Sequence, residues 1–193
     1  MVHATGLDFE TYGKESIRDV GLENYVTQPS FQVLTATLAE VVDGVPVNHR
    51  FFDFVTGGDT ALDAFKRAMR TLDTVCAHNA AFDQRVLEFL GARIPGSVLW
   101  DTSVMSRQEG GSSSLAQAAA QLLPPGVGKL DEGTRLIRKF SMGPTPPTAE
   151  SVKNDPDWQT FAEYNIRDAQ ISAMIATGHW YQCAPRKDID YPS

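Results

Sequence analysis

The chain of 193 residues and 21.1 kDa suits one domain without staples. Its 42% hydrophobic, 21% charged and 9% aromatic residues exclude a disordered, collagen-like or coiled-coil chain. The formal charge is −7, with −5 in residues 1–99 and −2 in residues 100–193, which excludes polyanion binding by bulk charge; cations or a local basic face must help it meet a nucleic acid.

Residues 1–6 carry neither a basic n-region nor an apolar h-region, and no apolar run approaches the ~18 residues of a membrane span. A cytoplasmic protein with no membrane partner is expected. Residues 2–9 (VHATGLDF) read as a first strand. Segment 10–30 is polar, with turn residues Gly13, Gly21, Asn24 and Pro29. Residues 31–42 read as a second strand, Asp43-Gly44 as a hairpin turn and 45–55 as the returning strand. A loop over 56–60 leads to a helix over 61–71, with apolar positions at helical spacing. Residues 72–77 read as a buried strand carrying Cys76, and Asn79 as the cap of a helix over 80–90 that Gly91 stops. A short strand over 97–100 follows, then, after Ser112-Ser113-Ser114, an Ala/Leu/Gln-rich helical stretch to Leu123, ended by Pro124-Pro125-Gly126. Residues 132–140 read as a short basic helix, 143–157 as a Pro-rich loop and 158 to about 181 as a long terminal helix. One α/β domain with a single sheet is predicted over 1–182, with a tail at 183–193. Cys76 and Cys183 are too few and too far apart for a disulfide framework or a zinc site.

Three clusters carry chemistry. Asp8 and Glu10 share one face of the first strand. Two like charges there are costly unless a cation lies between them, although a D-x-E pair is expected about 0.7 times by chance in this composition. Asp83 follows Asn79 by four residues at a helix start, where an acid is also ordinary helix design. His78 reads as a structural junction residue. Tyr164 and Asp168 are i and i+4 on the terminal helix, close to the apolar stripe of Phe161, Ile171, Met174 and Ile175.

In combination, D-x-E on a first strand, N-x-x-x-D after an internal strand and Y-x-x-x-D on a late helix resemble the DEDD superfamily of 3′–5′ exonucleases (DnaQ-like). The Tyr-bearing branch, which includes the proofreading domains of family A and B DNA polymerases, is the one resembled, because Glu163 stands where the His-bearing branch has its His. Residues 129–137 (KLDEGTRLI) with Phe140, and Gly21-x-x-x-Tyr25 with Pro29, look similar to the exonuclease domains of phage family A polymerases. The resemblance spans residues 3–178 and implies an RNase H-like fold, a mixed five-stranded sheet flanked by helices. It implies Asp8, Glu10, Asp83 and Asp168 as ligands of two divalent cations, with Asp8 bridging both ions. An all-carboxylate set suits Mg²⁺ or Mn²⁺, and two such ions serve phosphodiester hydrolysis. Tyr164 would orient the attacking water, since a phenol is a poor base at neutral pH.

Phe9, Thr11, Asn79 and Phe82 are candidates for contact with a single-stranded 3′ end, although Phe9 also suits the opposite, core face of its strand. Arg135, Arg138 and Lys139 share a helical face and are the best local candidates for phosphates, against a default of a solvated surface. No polymerase domain follows, so a DNA polymerase acting in trans is the implied partner, in a bacterial host cytoplasm if the chain is phage-encoded. Three classes stay open: a 3′–5′ exodeoxyribonuclease, an exoribonuclease on the same fold, and an inactive nuclease-like interaction subunit. The four filled acidic positions weigh against the last.

Overall fold

The computed structural model describes residues 1–72, 74–92, 98–128 and 133–183. Among them, five strands form one open mixed sheet, flanked on both faces by helices, so the chain is α/β. The strands are β1 (His3–Tyr12), β2 (Gln32–Val42), β3 (Val45–Asp53), β4 (Thr74–Ala77) and β5 (Val98–Asp101). Their order is β3-β2-β1-β4-β5. β2 runs antiparallel to both β1 and β3, whereas β1, β4 and β5 are parallel. The predicted hairpin turn is present, with Asp43 and Gly44 both at positive φ, as a two-residue turn of this hand requires.

Leu7 and Phe9 point to one face of β1. There they join Phe65 and Met69 of α2 (Phe54–Met69), Val86 and Leu87 of α3 (Ala80–Leu90), and Tyr25 and Val26 of α1 (Ile17–Thr27). Phe65 meets Phe9, Phe52 and Phe54 edge to face with ring centroids 5.3–5.8 Å apart, contacts worth ~0.5–1.5 kcal/mol each beyond area burial. The opposite face carries Ala4, Gly6, Asp8 and Glu10 and is covered by α8 (Pro156–Cys183). A register shift between Glu10 and Thr11 leaves Leu34 as the extra residue of β2. It turns Leu34 into the cluster of Tyr12, Phe161, and Leu136 and Phe140 of α6 (Gly133–Phe140).

β1 and α8 approach as closely as backbone allows. A Cβ on Gly6 would lie 2.0 Å from the Ala169 carbonyl oxygen, so only glycine fits. Gly6 against Ala169 and Asp8 against Asn165 show that α8 runs antiparallel to β1.

Several expectations are corrected. Segment 10–30 contains α1, capped by Ser16, whose side chain accepts from the Asp19 N–H; Gly21, at φ 78°, kinks it. The expected 56–60 loop shrinks to a break at Gly58 (φ 48°, ψ −136°), which kinks a helix that begins earlier. α2 starts at Phe54 because Asp53 accepts from the Val55 and Thr56 N–H groups at 2.9 and 3.0 Å. The second helix after β5 is α5 (Leu115–Leu122); α4 (Thr102–Gln108), capped by Asp101, precedes it. The Pro-rich 143–157 segment holds a single turn, α7 (Ala149–Val152), closed by a Thr148–Ser151 capping box. Cys76 is buried, and burial pushes its thiol up to about 12, an inert structural position. The Cys183 side chain, the 184–193 tail, Ser97 and Lys129–Glu132 lie outside the described residues. Among the described residues no helix is long and apolar enough to cross a membrane.

Candidate functional site

Asp8 sits near the middle of the sheet, half-buried, opposite Thr37 of β2. Asn165 of α8 holds it from above: the amide Nδ2 donates to Asp8 Oδ2 at 2.6 Å and to the Asp8 carbonyl at 3.1 Å. Asp168 lies almost one turn further along α8 and is buried, one residue before the Ala169 carbonyl that abuts Gly6. Asp83 approaches from α3. It is buried, and its carboxyl is raised well above the usual range, first by desolvation and then by the negative charge of Asp8. Hydrogen bonds from its own backbone and from the Phe9 backbone oppose that rise, and Asp101 adds to it. Asp83 of α3 and Asn165 of α8 therefore both meet Asp8 of β1, from three separated parts of the chain.

Among the described residues no group of three or more His, Cys, Asp and Glu side chains forms a ready-made metal site. The donor chemistry still fits a hard divalent cation. Asp8 and Asp83 repel across a buried space, and such a pair needs a proton or a cation to share it.

Glu10 opens into a cleft of about 540 Å³, walled by Phe9, Thr11, Tyr25 and Phe82 and rimmed by Arg18, Arg138 and Met142. The aromatic wall is built by helix contacts. Arg85 of α3 donates to Glu23 of α1 at 2.9 Å, setting the two helices side by side. Tyr25 and Phe82 then lie 6.4 Å apart, centroid to centroid. The Tyr25 and Thr11 hydroxyls are hydrogen-bonded at 2.9 Å. Burial, with the charge of Glu10 adding to it, raises the phenol of Tyr25. Phe9 is buried in the core, as its face of the strand dictates, yet its edge reaches the cleft wall.

The predicted basic face is divided. Arg138 rims the cleft. Arg135 instead bonds Asp157 at 2.7 and 2.9 Å, and Lys139 bonds both Asp155 and Asp157 at 2.7 Å. These pairs hold Asp157 below the usual carboxylate range and raise Lys139; they tie α6 to the start of α8. Gly133, the first residue of α6, lies flat on the Tyr164 ring, where a Cβ would come within 2.2 Å of Cε2. Tyr164 is thus buried beneath α6, one residue from Asn165.

Asn79 occupies the N-cap position of α3 but does not cap it through its side chain. It takes a left-handed conformation (φ 71°, ψ 55°) and its side chain makes no cap bond. Asp101, at the end of β5, does that work: its carboxylate accepts from the Asn79 and Ala80 N–H groups at 3.1 Å each and from Ser103 at 2.8 Å. Despite partial desolvation, these bonds hold its carboxyl below the usual range. His78 is a junction residue, bonded to the Thr102 hydroxyl at 3.0 Å and the Ser113 carbonyl at 2.7 Å. Sequence reasoning gave no site role to Asn165, Thr37, Asp101 or Tyr25, the last of which it noted only within a motif. Asn165 had one available signal, a polar residue amid the buried stripe of α8.

No protein-family model matches the chain, and no curated protein matches it.

Proposed function

We propose that this protein is a metal-dependent 3′–5′ exonuclease on an RNase H-like fold, trimming single-stranded DNA ends in a proofreading role. The observation that carries the reading is that Asp83 of α3 and Asn165 of α8, remote in sequence, both meet Asp8 of β1, beside a cleft of about 540 Å³ lined by aromatics. Asp8, Glu10, Asp83 and Asp168 would hold two divalent ions. When bound, Mg²⁺ or Mn²⁺ acidifies a water and offsets charge on the leaving 3′ oxygen.

The chain's own residues supply the rest. The packing of Gly133 on Tyr164 fixes the ring, so its hydroxyl can orient a water by hydrogen bond without carrying the proton. Phe82 and Tyr25 offer faces for a terminal base, an interaction worth ~1–3 kcal/mol. Arg138 stands at the rim, where a backbone phosphate would pass.

The test is a 5′-labelled single strand, DNA or RNA, incubated with Mg²⁺, Mn²⁺ or EDTA. The expected product is a ladder shortening one nucleotide at a time from the 3′ end, faster on DNA and abolished by EDTA. Full turnover in EDTA, or cleavage from the 5′ end, overturns the reading; a faster RNA ladder replaces the substrate and keeps the chemistry.

A further inference from the structure

Thr37, Asn165 and Asp8 form a buried chain across β2, α8 and β1 that the acidic motif does not include. Asn165 and Thr37 are both fully buried. The Thr37 hydroxyl donates to Asn165 Oδ1 at 2.7 Å, and Asn165 Nδ2 donates to Asp8 Oδ2 and to the Asp8 carbonyl. Chemistry fixes the amide's orientation. Reversed, it would set Oδ1 against two acceptors of Asp8, oxygen facing oxygen with no proton between them. Two buried hydroxyls further along α8 bond within their own helix: Ser172 bonds the Asp168 carbonyl, and Thr177 bonds the Ala173 and Met174 carbonyls. Asn165 reaches out to the sheet, and both of its N–H bonds end on one residue.

Two donors from one planar amide, ending on the carbonyl and the carboxylate of the same residue, restrict the Asp8 side-chain torsions as well as its position. Resting on the exonuclease reading above, we propose that Asn165 is a positioning residue, braced by Thr37, that sets the plane of the Asp8 carboxylate for the incoming cation. The carboxylate is then oriented before the ion arrives, and the cost of ordering it falls on folding instead of binding. Removing such an outer partner weakens metal affinity ~10–100-fold in comparable sites.

The experiment is a Mn²⁺ titration of the full chain, followed by calorimetry and by the spin-resonance signal of free Mn²⁺. Wild type is compared with Asn165→Ala, Thr37→Val, Thr37→Ser and, as a buried control on the same helix, Ser172→Ala. Thermal melts run alongside. Asn165→Ala is expected to bind Mn²⁺ ~10–100-fold more weakly, and Thr37→Val less severely. Thr37→Ser keeps the hydroxyl and restores the wild-type affinity, and Ser172→Ala leaves it unmoved. Turnover in Asn165→Ala should recover toward wild type at saturating Mn²⁺ while its half-saturating Mn²⁺ stays high. If Asn165→Ala does not fold, the Val/Ser pair at Thr37 decides. Wild-type Mn²⁺ affinity in both Asn165→Ala and Thr37→Val, or an equal loss in Ser172→Ala at equal melting temperature, reduces Asn165 to a packing residue and leaves the exonuclease reading standing. A wild-type chain that binds no Mn²⁺ overturns both.

Discussion

Gly6→Ala tests the contact that holds the site together without touching any acid. The added Cβ would start 2.0 Å from the Ala169 carbonyl oxygen and 3.1 Å from the Ala173 Cβ. Non-bonded carbon contacts settle at ~3.5–4.0 Å, so β1 and α8 must part by more than about 1 Å, and neither obstacle is a flexible side-chain end. Overpacking of this kind costs ~1–3 kcal/mol. For a domain of this size that lowers the melting temperature by roughly 2–12 °C. The functional effect should be larger than the stability effect. Tyr164, Asn165 and Asp168 ride on α8, so one displacement moves all three relative to Asp8, and a misplacement of ~1 Å can cost 10²-fold in rate. The control is Gly178→Ala on the same helix, which meets nothing within 4 Å. It replaces a helical glycine and should stabilise by ~0.5–1 kcal/mol at unchanged activity. Circular-dichroism melts and single-turnover cleavage of a labelled strand read both effects. A Gly6→Ala variant with wild-type melting and wild-type turnover would show that α8 is not seated on β1 as described, and the site's geometry would fall with it.

Tyr164→Phe should keep the melting temperature, because the ring still packs on Gly133, but lower single-turnover kcat by about tenfold to a thousandfold (~1.4–4 kcal/mol); Asp168→Asn should fall further, and a fully active Tyr164→Phe makes the phenol a packing residue. Arg138→Ala should raise KM and flatten the salt dependence with kcat nearly intact. Arg135→Ala, whose partner is Asp157, should change KM less, so equal effects of the two would count against Arg138 as the phosphate contact. Asp83 binds its proton more tightly folded than unfolded, chiefly through burial and then through Asp8. The unfolded chain therefore binds fewer protons above the ordinary carboxyl range, and metal-free stability should fall as pH rises from about 4 toward the raised native value. Asp101 and Asp157, both held low, act in the opposite sense and only below about pH 4. Melts at about pH 5 and about pH 8 should show the decline, its loss in Asp83→Asn, and its reversal by Mn²⁺ at the higher pH; a flat metal-free profile in wild type refutes the burial argument.

What was legible in the sequence followed local rules. The hairpin around Asp43-Gly44, the buried strand into α3 and the stop at Gly91 were set by residues within a few positions of each other. The misses came from distance or weak amphipathicity. α1 buries only Tyr25 and Val26 and is broken by Gly21, so its apolar period is hard to see. Asp101 caps α3 from a strand 22 residues downstream, and the Asn79 side chain, which has the right chemistry for that cap, makes no bond to it. The division of the basic face depended on Asp155 and Asp157, which no helical-face count of α6 includes. The acids of the site were visible as residue types in a motif; the amide that holds Asp8 was not, because its second partner, Thr37, stands 128 residues away.

The place of the site follows from the sheet's connectivity. From β1 the chain turns to β2 and β3 on one side, then crosses to β4 and β5 on the other. In open sheets that reverse in this way, a crevice forms outside the carboxyl ends of the parallel strands on either side of the reversal. Here those strands are β1 and β4, paired through Gly6 and Cys76. Asp8 and Glu10 are the residues of β1 beyond that pair, and Ala77 through Asp83 are those that leave β4, so both acidic groups are delivered to the crevice by strand direction alone. Asp101 ends the next parallel strand and anchors the start of α3 there. Asp168 lies on the covering helix α8, whose backbone passes β1 at contact distance. Gly6 permits that approach, and Asn165 closes it with a bond to Asp8. Asp8 and Asp83 are thus brought together by backbone topology, while one glycine and one amide seat α8 against Asp8, and the charge of Asp8 adds to the burial that raises the Asp83 carboxyl.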